Sequence, residues 1–160
     1  MLRLSPTSLL LAFLVIIPFL GCARQAELCW VCQREIHTSV RATLTLADGK
    51  KVHACCPRCA LHYQEEPSNR VRAIAVTDYG TGKTLSFDRA FLLEGSDETP
   101  CVHHPNVMDD THMPMQACYD RCMPSLIAFG SDSGARAFMS EHGGTLYTPG
   151  TFPALPSTKQ

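Results

Sequence analysis

The sequence predicts an α+β fold: two ββαβ units sharing a core, the first carrying a treble-clef-like knuckle of four cysteines. Three observations lead there. Two Cys-x-x-Cys pairs, Cys29–Cys32 and Cys56–Cys59, bracket a stretch that alternates apolar and polar residues with the period of a strand. The second pair opens a helical segment behind Pro57, a residue suited to a first helical turn because no backbone N–H is needed there. The order strand, helix, strand then recurs after residue 83, as a repeat of pattern and not of sequence.

Residues 1–21 read as a signal peptide and 22–28 as a tether. Arg3 supplies the positive start, and Leu9 to Leu20 is an uncharged apolar run interrupted only by Pro18. A run of about a dozen residues is too short for a stable membrane span and fits an export signal. Its end, Phe19-Leu20-Gly21-Cys22, resembles a bacterial lipobox, with Phe where Leu is usual and Leu where a small residue is usual. That resemblance implies cleavage before Cys22 and lipid on its thiol. The chain is then exported and anchored to a bacterial membrane, on the periplasmic or outer face. Ordinary cleavage nearby, or an uncleaved anchor, is the alternative.

The full chain has 160 residues, nine of them cysteine, and a formal net charge of −1. Near-neutrality offers nucleic acid no electrostatic footprint, so no nucleic-acid partner is expected. Such a cysteine content demands either disulfides or metal. With Cys22 set aside the remaining eight are even in number, and an exported chain could use them as four disulfides in any of roughly a hundred pairings. The spacing favours metal for the first four, because a tetrahedral ion needs soft donors converging on one point and two knuckles supply them. Cys55 is a spare beside Cys56 and could take its place.

The first unit spans 29–94. Trp30 is expected as an apolar plug against the hairpin, and His37 and His62 as surface or packed histidines and not ligands. Val40 to Ala47 alternates, with Ala42, Leu44 and Leu46 on one face, and Asp48-Gly49 suits a two-residue type I′ turn into the strand Lys50 to Ala54. The helix that follows ends near Glu66-Pro67, and its N-terminal dipole favours thiolates at Cys56 and Cys59. Arg70 to Val76 is a third strand, and Lys83 to Glu94 resumes extended structure.

Residues 95–148 form the second unit. From Pro100 to Met123 periodicity gives way to a dense set of donors: Cys101, His103, His104, Met108, His112, Met113, Met115, Cys118, Cys122 and Met123. Prolines, Asn106 and two aspartates make it a loop, and structureless loops of that length are usually functional. Pro124 to Phe129 is a strand, Ser131 caps a helix carrying Ala135, Phe138 and Met139, and Thr145 to Tyr147 closes the unit after Gly143-Gly144. Residues 149–160, rich in Pro, Ser and Thr, read as a disordered tail.

Val76-Thr-Asp78-Tyr79, Ala90 to Ser96, Ile127-Ala128-Phe129, Ala135 to Phe138 and Gly143-Gly144 resemble NosL-type lipoproteins, in that order, after a Cys-x-x-Cys near a lipidated start. The resemblance implies two ββαβ units and a periplasmic copper(I) chaperone of nitrous-oxide-reductase assembly. The first half is also similar to TRASH-like metal modules, with Cys29, Cys32, Cys56, Cys59 and Tyr63 in the matching places. Two positions depart from the NosL pattern. Gln33-Arg34 stands where Gly-Met is usual, and the Pro-Met pair expected before the Ala-Phe strand is found only as Pro114-Met115 or as the reversed Met123-Pro124.

These readings give a membrane-anchored metal-trafficking protein for metalloenzyme maturation, with an apo-metalloenzyme or metal transporter as partner. Zinc is expected as a structural ion at Cys29, Cys32, Cys56 and Cys59. Copper(I) is expected as cargo at a second site drawn from Cys101, His103, His104, Met113, Met115, Cys118, Cys122 and Met123, since thioethers bind copper(I) without deprotonation. A disulfide-stapled adaptor lipoprotein is the alternative. A thiol oxidoreductase fits poorly, because Cys29–Cys32 precedes a hairpin and not a helix start. No Ser/His/Asp set, paired carboxylates or phosphate loop points to an enzyme.

Overall fold

The computed structural model describes residues 26–101 and 121–153. Within them two antiparallel sheets carry the chain. The first has four strands in the order β2-β1-β3-β4, with β1 Ala42–Leu46, β2 Lys51–Ala54, β3 Val71–Thr77 and β4 Thr84–Ser86. The second has three in the order β6-β5-β7, with β5 Phe91–Glu94, β6 Leu126–Phe129 and β7 Thr145–Tyr147. Helix α1, Pro57–Glu65, lies between β2 and β3, and helix α2, Asp132–His142, between β6 and β7. Each half is therefore a ββαβ unit, with β4 added to the edge of the first.

Alternation places the core residues. Ala42 and Leu44 of β1 are fully buried and face Val76 and Ile74 across the ladder, while Thr43 and Thr45 turn away. The β1–β3 register shifts where Thr45 opposes Ala73 and Leu46 opposes Val71, so Arg72 is the extra residue of a bulge on β3, and Leu46 is half-buried. The hairpin turn also differs from the sequence expectation. Gly49 has φ +84° but Asp48 does not enter the left-handed region, and Gly49 N–H donates to Leu46 O at 3.0 Å. Ala47-Asp48-Gly49 is thus a three-residue connection with glycine at its left-handed end. Asp48 Oδ1 accepts from Lys50 N at 2.9 Å, a bond that stabilises this turn over the two-residue one.

The extended stretch expected from Lys83 to Glu94 is broken by a 3₁₀ turn at Phe87–Arg89, closed by Ala90 N–H on Phe87 O. That turn carries the chain from one sheet to the other. β4 pairs with β3, whereas β5, which the sequence division leaves at the end of the first unit, pairs with β6 and β7. The sheets meet where Asp78 bridges Ala128 and Tyr79 N–H donates to Ala128 O at 2.8 Å. The Tyr79 ring stands edge-on to Phe129 and Phe138 at this seam, an arrangement that aromatic quadrupoles favour. Ser131 caps α2 as expected, its hydroxyl accepting from Gly134 N, and Gly143 at φ +67° ends it.

Helix α1 is held at its first turn. Pro57 to Leu61 are all buried, and Arg58 reaches across to the second sheet, where its guanidinium pairs with Glu94 of β5 and donates to Pro124 O at 3.1 Å. The Tyr147 hydroxyl donates to the other Glu94 oxygen at 3.1 Å, so one carboxylate ties α1, β5 and β7 together. The start of α1 is thereby fixed over the junction of the two units, and the cysteines sit there.

Candidate metal centre

Three chain segments bring sulfur to that junction. The first is the turn after Ala26. Leu28 bridges Glu35, Cys29 N–H donates to Arg34 O, and Gln33 N–H donates to Cys29 O with Gln33 at φ +60°. This curls the backbone around Cys29, whose sulfur accepts from Val31 N at 3.4 Å. The curl points Cys29 and Cys32 inward and leaves Trp30 outside. Trp30 is 62% exposed and is not the plug that its apolar character suggests. The second segment is the start of α1: Cys55 leaves β2, Cys56 is the extended N-cap residue, and Cys59 lies in the first turn. The third is the connection from β5 to β6, which brings Cys101 near its start and Cys122 near its end.

The sulfurs touch. Cys55 Sγ lies 3.4 Å from Cys32, 3.8 Å from Cys56, 3.7 Å from Cys59 and 3.6 Å from Cys122. Cys122 is 3.6 Å from Cys59 and 3.8 Å from Cys32. A disulfide would bring two sulfurs to about 2.05 Å. A tetrahedral ion with metal–sulfur bonds of about 2.3 Å would instead set its ligands about 3.8 Å apart. The observed separations are ligand separations. Two sets of four sulfurs lie with all members within 4.8 Å of one another: Cys29, Cys32, Cys55 and Cys59, and Cys55, Cys56, Cys59 and Cys122.

The structure therefore puts Cys55, not Cys56, with Cys29, Cys32 and Cys59, and it draws Cys56 and Cys122 into an adjoining foursome. Cys122, expected among the donors of the second site, lies against Cys55 and Cys59. Of the other expected donors, Cys101 is buried and donates from Sγ to Cys55 O at 3.4 Å, and Met123 is partly exposed beside Cys122. His103, His104, Met108, His112, Met113, Met115 and Cys118 lie outside the described residues, as does Cys22. His62 pairs with Glu65 at 3.1 Å, away from the cluster. Nothing in sequence spacing separates Cys55 from Cys56; only the tertiary contact with Cys32 does.

So many thiols in contact share their protons unequally. Cys32 is held down to about 3: a bond with Cys122 raises it, but bonds with Cys29, Cys55 and Cys59 outweigh that. Cys29 is lowered to about 6, where Cys32 pushes up and Cys55 and Cys59 push down harder. Contacts with Cys101 first, then with other thiols, lower Cys56 and Cys122 as well. The protons stay on Cys55, raised by Cys101 and Cys122, on Cys59, raised by Cys122, and on Cys101, raised by Cys122. Arg34 Nη1 donates to Cys122 Sγ at 3.2 Å and adds positive charge at that sulfur. The cluster is thus a partly ionised thiol set whose remaining protons sit where a soft cation would replace them.

Comparison with known proteins agrees with this architecture. The crystal structure of the copper chaperone NosL from Shewanella denitrificans is similar, with a TM-score of 0.54 and 18% identity, over 76% of this chain and 86% of that one. At that identity the likeness speaks for the fold. No curated protein matches the chain. The NosL family model matches residues 23–153, which takes in both ββαβ units and every described cysteine. The chain belongs to the NosL family.

Proposed function

We propose that this chain is an exported copper(I) carrier, anchored through lipid on Cys22, that passes the ion to an apo-metalloenzyme or a metal transporter. The observation that carries the reading is the convergence of four sulfurs, Cys29, Cys32, Cys55 and Cys59, all within 4.8 Å of one another, with three buried and Cys32 only partly so. Thiolates select copper(I) and zinc over hard cations. A structural zinc site is closed on all sides, whereas this one has an accessible edge at Cys32, which suits an ion that must enter and leave. The similar solved structure is that of a copper chaperone, which supports copper as the cargo.

Transfer needs no redox step. An incoming copper(I) meets Cys32, gains Cys55 3.4 Å away, and is enclosed as Cys29 and Cys59 complete the set. Each ligand still protonated releases its proton to solvent, Cys55 and Cys59 above all, and copper keeps its oxidation state. Departure reverses the order. In sequence, the remaining donors lie between two residues of the cluster: His103 is two positions from Cys101 and Cys118 four from Cys122. That connectivity supports Met113, Met115 and their neighbours as a relay. The apolar leader and Gly21-Cys22 support the exported, anchored location.

The test is an anaerobic competition of the reduced full-length chain against a chromophoric copper(I) chelator. The chain should withdraw copper(I) at equimolar chelator and return it to excess chelator within minutes. Failure to withdraw it, or a bound zinc ion that copper(I) does not displace, overturns the reading.

A further inference from the structure

We infer that the cluster is built for two soft metal ions, bridged by Cys55 and Cys59, with Cys29 and Cys32 terminal on one and Cys56 and Cys122 on the other. The inference rests on the reading that the cluster holds metal and adds its nuclearity. The two foursomes share Cys55 and Cys59, whose sulfurs are 3.7 Å apart, so they form two tetrahedra with a common edge. In the second, Cys122 lies 3.6 Å from both shared sulfurs and Cys56 3.8 Å from Cys55.

A single ion would leave this second tetrahedron unexplained. It would ligate four sulfurs and leave Cys56 and Cys122, each 3% exposed, against its ligands but outside its coordination. Both also face the hydrocarbon of Val40 and Leu126, but their sulfurs turn to the cluster: Cys56 lies 3.8 Å from Cys55, and Cys122 3.6 Å from Cys55 and Cys59. Six thiolates around two monovalent ions remain negative overall, so the cluster needs cationic surroundings. Two cationic features face the second tetrahedron: Arg34 on Cys122, and the positive end of α1, for which Cys56 is the N-cap. On loading, any of the six sulfurs still protonated gives its proton to solvent, and neither sulfur nor copper(I) changes oxidation state.

The experiment is native mass spectrometry of the reduced full-length chain titrated anaerobically with copper(I), in wild type and in Cys122→Ser and Cys29→Ser. Wild type should reach two copper ions per chain. Each variant, removing one terminal ligand from opposite ends, should stop at one. If one variant fails to fold, by circular dichroism of the metal-free form, the other makes the same test from the other side. One copper per wild-type chain, unchanged in Cys122→Ser, overturns the two-ion cluster and leaves the carrier reading standing. A second copper that survives both substitutions lies elsewhere in the chain and also overturns it. No copper at all removes the carrier reading itself.

Discussion

The ion pair between Arg58 and Glu94 sets where the cysteines of α1 sit, and removing either partner should have unequal costs. Arg58 is 3% exposed and Glu94 23% on their side chains, so Arg58 is the more dependent partner. In Glu94→Ala the guanidinium keeps one neutral acceptor, Pro124 O, and no counter-charge in a buried place. Breaking a buried pair in this way costs about 3–5 kcal/mol, and the partial exposure of Glu94 puts the expectation near the lower figure, about 3. Arg58→Met removes the charge and keeps apolar volume against Phe152, over whose ring the guanidinium now lies at 5.7 Å. Glu94 then retains water and the Tyr147 hydroxyl, and the cost should be about 1 kcal/mol. Urea unfolding of the reduced, metal-free chain reads the difference. With a slope of about 1.5 kcal/mol per molar, Glu94→Ala should move the midpoint down by about 2 M and Arg58→Met by less than about 1 M, slopes unchanged. Equal shifts, or a Glu94→Ala shift under about 0.5 M, would refute the claim that this pair locks α1 to the second sheet.

Other consequences are as direct. Cys32→Ser removes the partly exposed thiol, so copper(I) uptake from a chelator should slow by about tenfold or more in stopped-flow absorbance, while metal-free stability changes little. Gly144→Ala should lower the midpoint of thermal unfolding by roughly 5 °C. Gly144 has φ +101°, and a Cβ there would stand 2.8 Å from Glu94 O on β5. Copper(I) affinity should fall with falling pH, because protons held on Cys55 and Cys59 compete with the ion throughout. The fall should steepen below about 6, where Cys29 also takes up a proton. Chelator competition between pH 5 and 8 measures this, and an affinity independent of pH would count against thiolate ligation.

Much of the architecture was readable where local chemistry determines it. Alternation in β1, Pro57 at the head of α1, Ser131 as a cap and Gly143 as a stop each follow from short-range physics, and each stands where the sequence predicts. Reading failed where a tertiary contact decides. Lys83 to Glu94 has the composition of one strand, yet a 3₁₀ turn divides it between two sheets, because each half finds its partners elsewhere in the chain. Arg70 to Val76 alternates in sequence like one regular strand, yet pairing with β1 makes Arg72 the extra residue of a bulge. Arg58, an ordinary helix residue by its neighbours, is buried by a carboxylate 36 residues away.

The cluster divides in the same way. The Cys-x-x-Cys knuckles announce sulfur converging near the hairpin, since each is a local turn that presents two thiols together. The choice of Cys55 over Cys56 beside Cys29 and Cys32 has no local signature. The arrival of Cys122 has none either, because 63 residues separate it from Cys59. Trp30 misled for a related reason: apolarity argues for burial, but the curl that aims Cys29 and Cys32 inward must aim the residue after Cys29 outward.

Copper-edge X-ray absorption of the loaded full-length chain, in wild type and in Cys55→Ser, tests the central claim most directly, because Cys55 belongs to both foursomes. A sulfur-only shell in wild type, with copper lost from a variant that still folds, is the result expected of a carrier that holds its ion in this cluster. A shell that includes nitrogen, or copper retained undiminished in Cys55→Ser, would place the ion among other donors of the chain and contradict it.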